Sequence, residues 1–167
     1  MPSLRSAAIY SSDLPRALET ATILAKVLRP DESSPVPVDR ALREIDFGDW
    51  AGRSYAELIA DLAEIAAAER FFADLTDVAP PNGETANVVA TRVTSAMQAI
   101  AVAHPDSAAI VVGHAGALRL ALARALGMPL ASYWRLRLDC ASLSIVDLTD
   151  TGIIVERLND VSQLKWS

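Results

Sequence analysis

The chain has 167 residues, 51% of them hydrophobic and 22% charged, which excludes an intrinsically disordered protein. Its net charge of −6 disfavours nucleic acid as a partner, because nucleic-acid binding needs a basic surface. No apolar run reaches the roughly 18 residues of a membrane span, and no secretory signal pattern opens the chain, so we expect a cytoplasmic protein without a membrane partner.

Hydrophobic periodicity predicts strands that alternate with helices along the chain. The predicted strands are 7–12, a brief edge-like strand at 36–38, a buried central strand at 108–113, and a hairpin of 143–148 and 153–158. The predicted helices are 13–28, one opened by the capping box of Ser54 and Glu57, about 85–103, and 117–126. This alternation indicates a single three-layer α/β/α sandwich domain over residues 1–167.

Several local expectations accompany these elements. Asp13 is the predicted N-cap of the first helix, and the helix opened by Ser54 is expected to bury Leu58, Leu62 and Ile65. Residues 71–83 are predicted to form a loop. Cys140 is the one cysteine, so no internal disulfide or cysteine-type zinc site is expected, and it is predicted to be buried at a strand start.

Arg16 is the first candidate site residue. It is predicted to lie in the first turn of a helix, directly after the carboxyl end of a strand. A helix N-terminus and a guanidinium together form an anion site. The alternative is an ordinary solvated arginine, and Arg16 taken alone favours that alternative.

Glu44 is the second candidate, close to the apolar residues Leu42 and Ile45 in a glycine-containing segment. A carboxyl group in such surroundings can have a raised pKa and act as a general acid. The alternative is that Glu44 caps a neighbouring backbone or pairs with an arginine. Glu44 alone leaves both readings open.

His114 is the third candidate, because it ends the predicted central strand and precedes a glycine turn and a helix. Ligands of open α/β sheets usually bind at this position. The alternative is a structural histidine that a backbone carbonyl satisfies. His104 is predicted to be a surface histidine at the end of a helix.

Four segments together resemble the histidine phosphatase superfamily, which has the phosphoglycerate mutase-like fold. They are Ser-Ser-Asp-Leu-x-Arg-Ala-x-Glu-Thr-Ala at 11–21, Leu-x-Glu-Ile-x-Phe-Gly-x-Trp-x-Gly at 42–52, Asn-Gly-Glu-Thr at 82–85 and Val-Val-Gly-His-Ala-Gly at 111–116. They follow the family's order and span nearly the whole chain. The second segment most resembles the alpha-ribazole phosphatase and broad-specificity phosphatase branch.

The resemblance implies phosphoryl transfer without a metal or cofactor. In the family, a histidine of an N-terminal Arg-His-Gly motif attacks phosphorus, and the phosphohistidine is then hydrolysed or passed to an acceptor. On the matching positions, Arg16 and His114 would hold phosphoryl oxygens, and Glu44 would protonate the leaving oxygen. The amides of Ala115 and Gly116 would face the phosphate. The substrate would be a small phosphorylated metabolite such as alpha-ribazole phosphate, and the loop at 71–83 would form part of a lid.

The sequence departs from the family pattern at its start, where ten residues precede Ser11 and none is histidine. The Arg-His-Gly motif and its strand are therefore expected to be missing, so the domain would be N-terminally truncated and would lack its first central strand. We expect unpaired strand edges and negligible phosphatase activity of this chain alone.

Three other functions stay open. The chain can be a pseudo-phosphatase that binds a phosphorylated ligand without turnover, a phosphoglycerate mutase, or a structural or interaction domain. The short segment 52–82 favours a phosphatase over a mutase, since the mutases of this family usually carry a longer insertion there. Whether the chain forms a homodimer is also left open.

Overall fold

A parallel pair of short strands brings two distant segments of the chain together. β1 (Ala8–Ser11) pairs with β2 (Ala109–Val112), and Ser11 lies opposite Val112 where both strands end. Val38 adds one isolated parallel bridge to Ser11, so the edge strand predicted at 36–38 is confirmed only as a single bridge. Because both strands end at the same edge, the residues that follow them are neighbours.

The computed structural model describes residues 7–31, 34–149 and 152–164. Its helices are α1 (Pro15–Leu28), α2 (Tyr55–Ala60), α3 (Ile65–Ala73), α4 (Ala86–Ala103) and α5 (Ala115–Ala125). Short 3-10 helices lie at Arg40–Leu42, Gly48–Trp50 and Leu130–Arg135. β3 (Leu143–Thr149) and β4 (Gly152–Asp160) form the predicted hairpin, whose turn residues 150 and 151 lie outside the described ranges. The α/β class is confirmed, and none of the described helices has the length and apolarity to cross a bilayer.

The strands form two separate two-stranded sheets in the described part of the chain, β1–β2 and β3–β4. All four residues of β2 are only half-buried, so the prediction of a strand buried on both faces is wrong. The physical reason is that β1 alone pairs with β2 within the described ranges, which leaves the other edge of β2 open.

The main core lies between α4 and α5. Small side chains let the two helix backbones approach closely, and the strands pack against the same helix layer. The fully buried members of this core on the two helices are Ala86, Val89, Ala90, Val93, Ala96, Ile100, Ala117, Leu120 and Ala121. α1 packs against both β1 and β2. This packing fixes the start of α5 relative to the ends of the two strands.

A smaller apolar cluster forms beside the main core, from Trp50, Leu58, Ala68 and Phe71. The single helix predicted from Ser54 is instead two helices, α2 and α3, and Leu62 between them is 93% exposed. The break follows from Asp61, whose carboxylate accepts the N–H of Ala63 and so competes with helical hydrogen bonding. α3 also extends to Ala73, so only the later part of the predicted 71–83 loop is irregular.

Replacement of Gly48 by alanine is expected to destabilise the protein more than the same replacement at Gly52. Both glycines have positive φ, 52° and 81°, which costs an alanine about 1 kcal/mol. At Gly48 a Cβ would also lie 2.0 Å from the carbonyl oxygen of Pro81, whereas nothing lies within 4 Å at Gly52. Urea unfolding is expected to show a loss at least twofold larger for Gly48→Ala. Equal losses would contradict this close approach of the two loops.

Candidate active site

His114 lies at the junction of β2 and α5, where it is the N-cap residue of the helix. It is 6% exposed, and its Nε2 lies 2.6 Å from the hydroxyl oxygen of Ser12. Burial lowers the pKa of the imidazole, and the positive charge of Arg16 adds to this effect, while the charge of Glu44 opposes it. The ring is therefore neutral at pH 7. The ring nitrogen Nε2 therefore contacts a hydroxyl group, whereas the alternative of a structural histidine predicted a backbone carbonyl as its partner.

Ser12 is a site residue that the sequence analysis missed. It follows β1, is fully buried, and donates its backbone N–H to the carbonyl of Val112 over 3.1 Å. This bond extends the β1–β2 ladder by one step and aims the Ser12 hydroxyl at His114. A hydroxyl on one ring nitrogen helps to fix the tautomer of the imidazole. The sequence did offer one signal for this role, because Ser12 directly follows a predicted strand, as His114 does.

Glu44 lies against the N-terminus of α5. Its carboxylate accepts the N–H of Gly116 over 3.0 Å and the N–H of Ala117 over 2.7 Å. It also accepts the N–H of Ile45 over 3.0 Å. Glu44 therefore caps a backbone, as one of the two sequence-based alternatives predicted. The backbone that it caps is the first turn of the helix that begins after His114. The N–H of Gly116 is taken by this bond, which corrects the expectation that it faces a phosphate.

Arg16 lies in the first turn of α1 and is exposed. Its positive charge lowers the pKa of His114, so the guanidinium lies within electrostatic range of the ring. Among the described residues, none pairs with its guanidinium, and none accepts the N–H of Ala115 at the start of α5. The structure thus gathers Arg16, Glu44, His114 and Ala115 at one edge, and two of them keep donors for an anion.

The carboxylate of Asp13 binds two other arginines. Asp13 was predicted to cap α1, but the N-cap is Leu14, without a side-chain cap. Arg43 instead donates two hydrogen bonds of 2.6 Å to Asp13, and Arg40 lies 3.4 Å from it. The hydrogen bond from Arg43 lowers the pKa of Asp13. Arg40 and Arg43 are thereby drawn to Asp13, whereas Arg16 keeps its donors.

Two sequence predictions about residues outside the site need correction. His104 does end a helix, α4, but it is half-buried, and the hydroxyl of Tyr10 lies 2.9 Å from its Nε2. The ring of Tyr10 packs edge-on against the imidazole, which explains the partial burial. Cys140 is exposed rather than buried, because β3 begins only at Leu143 and Cys140 falls in the turn before it.

An aromatic cavity lies beside the segment that follows Glu44. It has a volume of about 290 Å³ between the 3-10 helix Gly48–Trp50, α2 and α3. Its lining residues are Phe47, Trp50, Gly52, Arg53, Tyr55, Leu58, Phe71 and Phe72. The rings of Phe71 and Phe72 pack edge to face, with their centroids 5.2 Å apart.

This geometry defines an α/β protein in which a histidine follows one of two parallel strands, and an arginine without a partner among the described residues lies in the helix after the other. Residues 1–161 match the family model of the histidine phosphatase superfamily, branch 1. The chain therefore belongs to this superfamily, and the resemblance seen in the sequence motifs is confirmed.

Curated relatives share much of this chain. Bifunctional protein Rv2228c of Mycobacterium tuberculosis (strain H37Rv) is 36% identical over 152 residues, which cover 91% of this chain and 40% of that protein. The adenosylcobalamin/alpha-ribazole phosphatase of Escherichia coli (strain K12) is 30% identical, over 90% of this chain and 71% of that protein. The chain thus spans less than half the length of the mycobacterial relative.

Solved structures match the fold as well. Bacillus stearothermophilus YhfR superposes with a TM-score of 0.78 at 29% identity, over 95% of this chain and 76% of that one. A mycobacterial glucosyl-3-phosphoglycerate phosphatase, Rv2419c, solved with inorganic phosphate, gives a TM-score of 0.74 at 29% identity, over 96% and 81%. The predicted phosphoglycerate mutase-like fold is confirmed.

The lowered pKa of His114 predicts a loss of stability in mild acid. Because the folded protein binds the proton more weakly than the unfolded chain, stability is complete above the ordinary value of 6.5 and falls as the pH drops through it. Urea unfolding at pH 7.5 and 5.5 is expected to show a larger loss for the natural protein than for His114→Gln. NMR titration of the ring should give a midpoint below 6.5. A midpoint above that value would contradict the neutral ring.

Replacement of Gly116 by alanine is expected to displace the Glu44 carboxylate from α5. A Cβ at Gly116 would lie 2.6 Å from Oε1 of Glu44, whereas at Gly113 it would meet only the side chain of Leu118 at 3.5 Å. The amide of Ala117 should be protected from hydrogen exchange in the natural protein and in Gly113→Ala, because it donates to Glu44. Gly116→Ala should speed this exchange at least twofold. Glu44→Gln gives the exchange rate without the carboxylate, and an unchanged rate in Gly116→Ala would refute the contact.

Proposed function

We propose that this chain binds a phosphomonoester at the carboxyl ends of β1 and β2 and takes part in its hydrolysis. One observation carries the proposal: the buried imidazole of His114 and the carboxylate of Glu44 lie at the start of α5, within electrostatic range of the Arg16 guanidinium, which no described residue pairs. Membership of the superfamily supports it, as do relatives that are named phosphatases. The proposed ligand is a small phosphorylated metabolite, and alpha-ribazole phosphate is the first to try.

The phosphoryl group would be held by three donors. A transferring phosphoryl group spreads negative charge over its equatorial oxygens, so positioned positive charge stabilises the transition state. Arg16 offers a planar fork to two such oxygens, and the Ala115 amide adds a donor at the positive end of the α5 dipole. An arriving anion also raises the pKa of His114, because negative charge favours the imidazolium, which has a further N–H to donate.

Glu44 is the proposed acid for the leaving oxygen. Its carboxylate lies on the amides of Gly116 and Ala117, directly beyond the Ala115 amide along α5. The acid and the proposed phosphate donors therefore share one helix terminus. A general acid acts only within hydrogen-bond reach of the oxygen that it protonates, and the shared helix terminus supports this assignment.

The proposed nucleophile of the family mechanism is not among these 167 residues. The sequence contains two histidines; His104 is bound to Tyr10, and His114 is assigned to the phosphate. We therefore propose that this chain alone binds phosphate with negligible turnover. The same observation favours a second candidate function, a pseudo-phosphatase that binds a phosphorylated ligand and never hydrolyses it.

Phosphate binding tests the proposal. Inorganic phosphate is titrated into the ¹⁵N-labelled chain, with Arg16→Gln as the test variant. Arg40→Gln is the matched control, because Arg40 is 83% exposed and lies beside Asp13 rather than at the proposed site. Loss of the Arg16 contact is expected to weaken binding about 10-fold, the worth of one charge-assisted hydrogen bond, while the control stays within about twofold.

Hydrolysis of p-nitrophenyl phosphate tests the missing nucleophile separately. No turnover above the blank is expected from the natural chain. Turnover that disappears in His114→Ala would overturn the placement of the nucleophile outside the chain. It would not contradict the proposed phosphate site. Absence of phosphate binding, or binding that is equal in Arg16→Gln and the natural chain, would overturn the site itself.

A further inference from the structure

We propose that Arg92 and Glu84 are positioning residues for Glu44, and that this is the role of the Asn-Gly-Glu-Thr segment at 82–85. The proposal rests on the proposed function, since it assigns to the pair the placement of the acid. Neither residue is expected to touch the substrate. The pair would fix the backbone on both sides of Glu44 and thereby set where its carboxylate meets α5.

Arg92 holds the backbone before Glu44. It lies on α4 and is half-buried. Its Nη1 donates to the carbonyls of Ala41 and Arg43 over 2.8 and 2.7 Å, and its Nη2 donates to the carbonyl of Glu44 over 3.1 Å. Residues 43–46 lie outside helices and strands, so no regular ladder fixes this backbone. One guanidinium replaces such a ladder.

Glu84 holds Arg92 and the backbone after Glu44. Its Oε1 accepts Nε of Arg92 over 2.8 Å, and its Oε2 accepts Nη2 over 2.7 Å. The same Oε2 accepts the N–H of Asp46 over 3.1 Å, and the Asp46 carbonyl in turn accepts the N–H of Glu84 over 2.9 Å. Glu44 is thereby bracketed on both sides by one ion pair.

The charges in this ion pair are stable at neutral pH. Burial alone would raise the pKa of Glu84, but the hydrogen bonds from Arg92 and from the Asp46 amide outweigh burial and lower it. Glu84 is therefore ionised, and both of its oxygens accept strong charge-assisted bonds.

A direct role for Arg92 in phosphate binding fits the geometry less well. The positive charge of Arg92 does reach His114, where it lowers the pKa of the imidazole. Its five hydrogen bonds, however, use all five N–H groups of the guanidinium. No donor is left for a phosphoryl oxygen. Arg16, by contrast, has no partner among the described residues.

A lysine cannot reproduce this arrangement, because a single ammonium offers no planar fork to three carbonyls and a carboxylate. Arg92→Lys is therefore the test variant. Arg124→Lys is the matched control, since Arg124 is also half-buried on a helix but bonds to Asn87, away from Glu44. Both changes should lower the melting temperature. If the role of Arg92 were purely structural, Arg92→Lys would lower the melting temperature and leave the contact between Glu44 and α5 unchanged.

The distinguishing readout is hydrogen exchange at the amides of Gly116 and Ala117, which donate to Glu44. At a temperature where both variants are folded, Arg92→Lys should speed this exchange at least twofold, and Arg124→Lys should keep the natural rate. An unchanged rate in Arg92→Lys would overturn the proposal. Glu84→Gln is a second variant, which keeps the side-chain shape but removes the charge, and it should act in the same direction; an unchanged rate there would also overturn it.

Phosphate titration separates this proposal from the proposed function. Arg92→Lys should lower the affinity for inorganic phosphate less than threefold. A loss of affinity of tenfold or more would make Arg92 a phosphate ligand and overturn its positioning role. If phosphate fails to bind the natural chain, the proposed function fails, but the exchange rates of the Gly116 and Ala117 amides still decide whether Arg92 and Glu84 position Glu44.

Discussion

The contact between the Glu44 carboxylate and the first amides of α5 is the constraint on which the site depends. The N-terminus of a helix carries unsatisfied N–H groups and a partial positive charge, so it needs an anion. Glu44 supplies that anion from a segment more than seventy residues earlier in the chain. The contact therefore ties an irregular stretch of backbone to the helix that begins at His114, and it brings the two groups together without a regular element between them.

The sequence could predict which residues gather, because elementary topology decides it. Arg16 and His114 each follow a strand, and parallel strands end at one edge. Ser12 and Arg92 could not be predicted in the same way. The role of Ser12 depends on the register of β1 against β2, and that of Arg92 on the rotation of α4 about its axis. Neither is encoded in local spacing, since Ser12 contacts a residue 102 positions away and Arg92 contacts one 49 positions away.

The errors in secondary structure have a common origin in local hydrogen bonding. Apolar spacing favoured one helix through Leu62, but the carboxylate of Asp61 captures the N–H of Ala63 and ends α2. In the same way, Asp13 was expected to cap α1 and instead binds Arg43 across the fold. The carboxylate of a short acidic side chain can accept a nearby backbone N–H or bind a distant cation. The spacing of apolar residues does not predict which of these partners it binds.

The open edge of β2 has a consequence for how the protein behaves in solution. Ala109 to Val112 present main-chain hydrogen-bonding groups along an edge that no described strand covers, and these four residues include no charged side chain. Natural sheets usually protect such an edge with charge, proline or a bulge. The free main-chain groups are of the kind through which sheet edges pair with one another, and pairing of that kind depends on protein concentration.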